Sequence, residues 1–326
     1  MQAIVHDVYG DADVLQLRDI QAPSVGTNDV LVRVRAAGVD RGVWHLMTGT
    51  PHLVRLFIGR TGPKTKTRGR DVAGTIEAVG TNVTRFTVGD DVLGTGDGSF
   101  AEFVSVNEKR LVMKPAGVSF AAAAAVPTSG SAALLAVRDL GHVGAQDNVL
   151  VLGASGGVGA FAVQLAVRAG AAVTGVSSAS KRDFVLSLGA HTALDYASDS
   201  IGRGPSGTGY NVIIDIGGGI PLAELRRALT PKGRLVLVGA ETGGAFLGGL
   251  ARQLRATAIS PWVKQKLLSL VSSEKAQTLE QLASLLESGE LVAPVEREFS
   301  LAEAPAAMQY LADGRVRGKV VVIVGE

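Results

Sequence analysis

Four glycines crowd the run Val149-Leu-Val-Leu-Gly-Ala-Ser-Gly-Gly-Val-Gly159, at Gly153, Gly156, Gly157 and Gly159. Glycine carries no Cβ, so a backbone built from it turns sharply and approaches a pyrophosphate closely. The apolar residues Val149 to Leu152 in front of the run predict a buried parallel strand. The apolar spacing from Ala160 to Ala169 behind it predicts a helix packed on a sheet. A helix N-terminus there offers unpaired N–H groups and partial positive charge to phosphates. Strand, glycine turn and helix form the opening unit of a dinucleotide-binding fold, with Ser155, Gly156, Gly157 and Val158 presented to the ligand. The spacing is Gly-x-x-Gly-x-x-Gly, so only the second half of the usual Gly-x-Gly-x-x-Gly pattern is met. A tight strand-to-helix turn with no ligand is the other reading of the same residues.

The end of the second strand selects among dinucleotides. This apolar segment closes with Val173-Thr-Gly-Val-Ser-Ser-Ala-Ser-Lys-Arg182. A site for NADH places Asp or Glu here, to bind the ribose 2′-hydroxyl. This chain has Ser177 and Ser178, then Lys181 and Arg182. Hydroxyls and cations suit a 2′-phosphate, with charge-assisted contacts from Lys181 or Arg182. The reading is therefore NADPH over NADH. The same residues also read as a polar turn with Ser180 as N-cap of the following helix, and the two readings are compatible.

Two kinds of element must position these residues. Up to about residue 120, short alternating segments at 30–35, 74–79, 91–93 and 100–106 are separated by Gly and Asp. Period-two alternation predicts a mostly β domain. From about 120 to 265, strands are expected at 149–152, 172–176, 192–194, 211–216 and 234–238, and helices at 157–169, 180–188 and 221–229. Such regular alternation predicts the α/β class with a doubly wound parallel sheet. Helices at 279–288 and 301–313 and a strand at 319–324 come after it, and Gly202 to Gly209 reads as a surface loop.

Composition narrows the function classes. The 326 residues allow two domains of ordinary size. With 46% hydrophobic and 19% charged residues the chain is globular rather than disordered. A net charge of +2 is too near neutral to point to nucleic acid. The absence of cysteine excludes disulfides and Cys-liganded zinc, and fits a reducing cytoplasm. The first residues lack a signal-peptide pattern, and apolar stretches such as Ala121 to Pro127 are too short to span a membrane. A cytoplasmic protein without membrane association is the expectation. His6, His45, His52, His142 and His191 make no metal-ligand spacing, so no metal is expected. The basic run Arg60, Lys64, Lys66, Arg68, Arg70 has no interleaved aromatic on which a base could stack, and is read as a solvated loop rather than a nucleic-acid surface.

Further segments, in order along nearly the whole chain, resemble the medium-chain dehydrogenase/reductase superfamily in its zinc-independent quinone oxidoreductase (zeta-crystallin-like) branch. They are Ala36 to Asp40, Gly69 to Gly74, Val79 to Val92, Gly98 to Phe103, Ala121 to Pro127, the glycine turn, Leu188 to Ala190, Asp195-Tyr196 and Arg317 to Val321. The resemblance implies a GroES-like β domain at 1–120, completed by 265–326, and a Rossmann NADPH-binding domain at 121–264. It implies cofactor contacts at Thr128, Gly156, Gly157, Val158, Ser178, Lys181 and Tyr196. It also implies that Gly217, Gly218, Val238 and Gly239 run beside the nicotinamide, with Gly318 and Lys319 returning toward it. Relatives often dimerise through the edge strand of the parallel sheet, which is expected here near 234–238. Where zinc-dependent members carry Cys after the Gly-Val and later Gly-His-Glu, this chain has Gly38-Val-Asp40 and Gly69-Arg-Asp71. Many quinone reductases have Asn at the place of Asp40 and Asp at that of Val43.

The implied chemistry is metal-free hydride transfer from NADPH to a small, hydrophobic, electron-poor acceptor, a quinone or an α,β-unsaturated carbonyl. Asp40, Trp44 and His45 are the catalytic candidates: Trp44 to stack on a flat ring, His45 to protonate the developing enolate or hydroquinone. The bland alternatives are a surface ion pair of Asp40 with Arg41, and Trp44 in the core. The stretch from Ala245 to Trp262, apolar at i, i+4 and i+8, reads as a hydrophobic roof or as a helix packed on the sheet, with Arg252 and Arg255 solvated. Two other functions share these motifs: a pathway-specific enoyl or alkene reductase, and a non-enzymatic NADPH-binding protein.

Overall fold

Val30, Val32 and Val34 are buried while their neighbour Arg33 is exposed, and this alternation sets the inner face of an antiparallel sheet. The computed structural model describes residues 1–204, 207–239, 246, 248–270 and 275–325. The N-terminal part holds β1 (Gln2–Val5), β2 (Gln16–Asp19), β3 (Asp29–Val39), β4 (Asp71–Val79), β5 (Asp91–Thr95), β6 (Phe103–Asn107) and β7 (Leu111–Met113). Between and after them lie α1 (Arg41–Thr48), α2 (Arg55–Ile58), α3 (Phe120–Ala124) and α4 (Pro127–Leu134). β3 pairs antiparallel with β4 and β6, β4 with β5, and β5 with β7. β1 and β2 form a separate ribbon, bridged to Ala101 and Thr67.

The middle of the chain alternates strand and helix as expected. It runs β8 (Asn148–Leu152), α5 (Gly157–Arg168), β9 (Ala172–Ser177), α6 (Arg182–Ser187), β10 (Thr192–Asp195), β11 (Tyr210–Asp215), α7 (Leu222–Ala228), β12 (Leu229–Leu237), α8 (Leu250–Ile259) and β13 (Lys266–Ser269). The sheet order is β10-β9-β8-β11-β12-β13, with every pair parallel. Val149, Leu150 and Val151 are fully buried, as in a strand covered on both faces. The edges are β10 and β13. The expected edge near 234–238 lies inside β12, which is paired on both sides, because the short strand Lys266–Ser269 adds beyond it.

The chain then returns through α9 (Ala276–Glu287), β14 (Val295–Ser300), α10 (Ala304–Ala312) and β15 (Lys319–Ile323). β15 pairs antiparallel with β3 and parallel with β14, completing the first sheet. The chain thus divides into two units, Met1–Ser131 with Glu274–Glu326, and Ala132–Ser273. The first break falls within α4 rather than at residue 120. Part of the predicted loop Gly202 to Gly209 and of the apolar stretch from Ala245 lies outside the described residues.

Candidate functional site

β8 stands at the centre of its sheet, with β9 on one side and β11 on the other, so the chain leaves it in opposite directions. The carboxyl ends of such strands are where open α/β sheets bind ligands. The glycine turn lies there. Gly153 has φ +79°, the left-handed conformation that glycine adopts freely. Gly159 packs so closely that a Cβ on it would sit 2.1 Å from the Gly153 carbonyl oxygen. Gly156 is different: it caps α5, and a Cβ there would meet protein no closer than 3.5 Å. Gly153 and Gly159 serve the fold, whereas a Cβ on Gly156, at a helix N-terminus, would make only an ordinary van der Waals contact with the Gly153 carbonyl oxygen. Ser155 is buried, and Gly157 and Val158 are half-buried.

The neighbouring strand ends converge on this turn. Gly217 N lies 3.4 Å from the position of a Cβ on Gly153, and a Cβ on Gly239 would lie 2.9 Å from Ile216 O. Val238 and Gly239 are half-buried, and Val238 N donates to Asp215 O at 2.9 Å. The Gly217–Gly218 loop is held by Asp215, whose carboxylate accepts from Gly218 N at 2.9 Å and meets Arg252 Nη2 at 2.6 Å. Arg252 also donates to Gly218 O at 3.1 Å. Arg252 is therefore not solvated as expected: the fully buried Asp215 draws it in. Arg255 is exposed. The apolar stripe of α8 points the other way from the expectation of packing on the sheet. Leu250 and Leu254 are 39% and 58% exposed, and Ala256 faces inward instead.

At the end of β9, Ser178 holds the cap position before a single turn of helix at 179–181, and its Oγ lies 3.3 Å from Ser180 Oγ. Ser180 lies within that turn and is not an N-cap, because the turn starts before it, at Ala179. Lys181 is half-buried, while Arg182 faces Asp199 at 3.7 Å. Tyr196, at the end of β10, is 69% exposed and its N–H donates to Ser177 O. Ser178, Lys181 and Tyr196 thus share one corner of the sheet.

Thr128 and Lys319 belong to the other unit and meet around Asp71. Asp71 Oδ1 accepts from Thr128 N at 3.0 Å and from Thr128 Oγ1 at 2.5 Å. Lys319 Nζ lies 3.7 Å from Asp71 Oδ2 and donates to Val39 O and Ser129 Oγ at 3.0 and 3.2 Å. Both charges are buried. Burial pushes the Asp71 carboxyl up to about 7, against the pull of Lys319 and with a further push from Asp40. Sequence spacing gave no sign of this cluster, because its members come from distant segments. It bears on zinc, which the family includes. Asp71 already has an ammonium beside it, the chain has no cysteine, and no group of three or more His, Cys, Asp or Glu is placed to hold a metal among the described residues. The residues at these positions do not fit a zinc centre.

Asp40 begins α1, and the structure gives its carboxylate a capping role: Oδ1 accepts from Val43 N at 3.0 Å. It is 6% exposed, so it lies inside rather than on the surface. Its Oδ2 is buried without a hydrogen-bond partner among the described residues. Trp44 is half-buried against the core of the first unit, edge-on to His45 at 5.1 Å, with the Arg41 guanidinium 5.3 Å from its ring. His45 Nδ1 lies 2.8 Å from Thr50 O. A carbonyl only accepts, so Nδ1 carries a proton.

Comparisons with known proteins agree with this arrangement. The sequence profile of the alcohol dehydrogenase GroES-like domain matches residues 26–116, and that of the zinc-binding dehydrogenase family matches 188–322. The chain is 31% identical to a chloroplast envelope quinone oxidoreductase homolog of Arabidopsis thaliana, over 99% of this chain and 98% of that one. It is 32% identical to a quinone oxidoreductase of Pseudomonas aeruginosa, over 97% of each. The solved quinone oxidoreductase from Coxiella burnetii superposes with a TM-score of 0.85 at 28% identity, covering 100% of this chain and 99% of that one. A GroES-like β domain, a dinucleotide-type turn at the centre of a parallel sheet and relatives matched over their full length lead to one conclusion: the chain belongs to the quinone oxidoreductase-like group of the medium-chain dehydrogenase/reductase superfamily and is an oxidoreductase.

Proposed function

We propose that the protein transfers hydride from NADPH, without zinc, to a small hydrophobic quinone or α,β-unsaturated carbonyl. The observation that carries this reading is the glycine turn that caps α5 at Gly156, at the carboxyl end of the central strand beside the Gly217 and Gly239 loops. Bound dihydronicotinamide would supply the hydride. The chain's residues hold and orient it. The α5 N–H groups at Gly156, Gly157 and Val158 receive the pyrophosphate. Ser178 and Lys181 receive the 2′-phosphate, with Tyr196 beside the ribose. Asp215 and Arg252 keep the Gly217–Gly218 backbone in place for the nicotinamide half. Thr128 is a cofactor contact fixed by Asp71, and Lys319 acts on it indirectly by balancing Asp71.

An electron-poor acceptor needs little activation beyond placement, so Trp44 as a flat apolar platform suffices for the ring. His45 protonates the reduced product only as imidazolium, since its neutral form is an acceptor at Nε2. A cytoplasmic location and a homodimer are part of this reading, with β13 as the sheet edge available to a second copy. A reductase dedicated to one enoyl or alkene intermediate is the alternative with the same site.

The test is NADPH oxidation by chelator-treated protein against ortho- and para-quinones, enones and simple aldehydes. Turnover of quinones or enones, unchanged by the chelator, is expected. Turnover restricted to aldehydes, or lost with the chelator, would refute the proposal. Tight NADPH binding with no turnover would move the assignment to the dedicated reductase or to a non-enzymatic NADPH-binding protein.

A further inference from the structure

The basic run from Arg60 to Arg70 does not form one surface. Lys66 pairs with Asp7 at 2.8 Å and Arg70 with Asp97 at 3.3 Å, while Arg60 and Lys64 are exposed. Arg68 turns inward and is only 5% exposed. The backbone explains why. Val5 and Thr67 form an antiparallel bridge, Arg68 N donates to Ile4 O, and His6 N donates to Lys66 O, each at 3.0 Å. Side chains alternate along such a ribbon, so Ile4, His6, Lys66 and Arg68 leave one face, where Arg68 is covered while the longer reach of Lys66 ends outside at Asp7.

The carboxylates beside this run are engaged elsewhere. Asp97 is shared by Arg70 and Arg110, the latter at 3.1 Å. Asp7 is shared by Lys66 and Arg18, the latter at 2.7 Å. Arg68 Nε is buried with no hydrogen-bond partner among the described residues, and so is Nε2 of the fully buried His6. His6 Nδ1 lies 2.9 Å from Val8 O, which makes it the donor and leaves Nε2 bare. Burial, then the charge of Arg68, hold His6 down to about 4, with only a weaker opposing push from the Val8 carbonyl and Asp7. Burial lowers Arg68 to about 10, with Tyr9 and Asp97 pulling the other way. Tyr9 itself stacks under Arg55 at 4.6 Å and donates to Gly59 O. A buried cation whose neighbouring carboxylates are already taken is costly, and an anion would relieve it.

We propose that Arg68 and His6 form a binding site for a small carboxylate taken from solution. The Nε edge of the guanidinium matches the two oxygens of a carboxylate in a fork. Burial is the larger cause holding His6 down and the Arg68 charge the second; the anion offsets that charge and sets a negative oxygen beside the ring, so His6 gains a proton on Nε2 and donates it to the bound oxygen.

The experiment uses the whole protein in a buffer whose anions are bulky sulfonates, titrated with sodium formate and followed by ring-nitrogen NMR of His6 and by thermal unfolding. A saturable His6 shift, a higher His6 pKa and a rising melting temperature are expected. Arg68→Met should abolish all three, and Arg60→Ala should leave them. His6→Asn should keep the formate-dependent melting shift and lose its dependence on pH, which decides the matter even if Arg68→Met fails to fold. No saturable response up to ~100 mM formate would overturn the site. A response equal with chloride would overturn the carboxylate assignment, and one that survives in Arg68→Met would remove Arg68 from it.

Discussion

Asp215 and Arg252 meet at 2.6 Å and together hold both the N–H and the C=O of Gly218. A helix packed beside the parallel sheet thus fixes the backbone of the loop proposed to border the nicotinamide half. Replacing Arg252 by Met leaves a fully buried carboxylate alone. The expected cost is about 3–5 kcal/mol in urea unfolding. Asp215→Asn keeps an acceptor for Gly218 and should cost less. Equal, small losses in both would show that the pair is not a structural anchor.

The glycines of the turn separate into two roles that binding assays can tell apart. Gly156→Ala should leave the unfolding midpoint nearly unchanged, since the added methyl makes only an ordinary contact with the Gly153 carbonyl oxygen, and should weaken NADPH roughly tenfold or more if the proposed phosphate sits against this turn. Gly159→Ala should lower both, because its Cβ lands on the Gly153 carbonyl. Unaltered NADPH affinity in Gly156→Ala would count against the phosphate cradle.

Lys181 and Arg182 should not be equivalent, although they are adjacent. Lys181→Ala should weaken NADPH about tenfold more than NADH. Arg182→Ala should change the preference little, because Arg182 already faces Asp199. Equal losses for both cofactors in Lys181→Ala would refute the 2′-phosphate assignment.

Asp71 and His6 make opposite contributions to stability over one pH window. Asp71 is raised from 3.8 to about 7 by burial, so between those values the folded state binds more protons than the unfolded state, and stability falls as pH rises. His6 is lowered from 6.5 to about 4, chiefly by burial, so between those values the folded state binds fewer protons and stability rises with pH. Asp71→Asn removes the first slope alone. Relative to wild type, the variant should gain stability progressively from about pH 4 to 7 in urea melts. Parallel profiles would show that Asp71 does not titrate there.

The α/β architecture was legible because burial on both faces leaves continuous apolar strands, and the Gly153 turn because its φ and close packing admit little else. The role of Asp40 was harder to read. A carboxylate after Gly-Val suggests chemistry by analogy, yet one hydrogen bond to Val43 N makes it a helix cap, and the Arg41–Thr48 helix had no apolar period long enough to announce it. Lys266–Ser269 is too short to show alternation, so the sheet edge was placed one strand too early. The Asp71–Lys319 and Asp215–Arg252 pairs join residues distant in the chain, and charge spacing does not encode such partners. Arg68 shows the same limit: five cations in one run look alike until tertiary packing decides which one is covered.

β15 follows β14 in the chain, yet it lies between β3 and β14. On the ribosome, the segment Ala132–Ser273 is complete while the earlier unit still lacks its closing strand. Until residues 319–323 emerge, Ala36 to Val39 form an open sheet edge and Asp71 has no Lys319 beside it. The newborn chain therefore carries a waiting half, exposed to wrong strand partners for the whole time needed to synthesise the other. Chaperone dependence of this protein should follow the rate at which its final strand arrives.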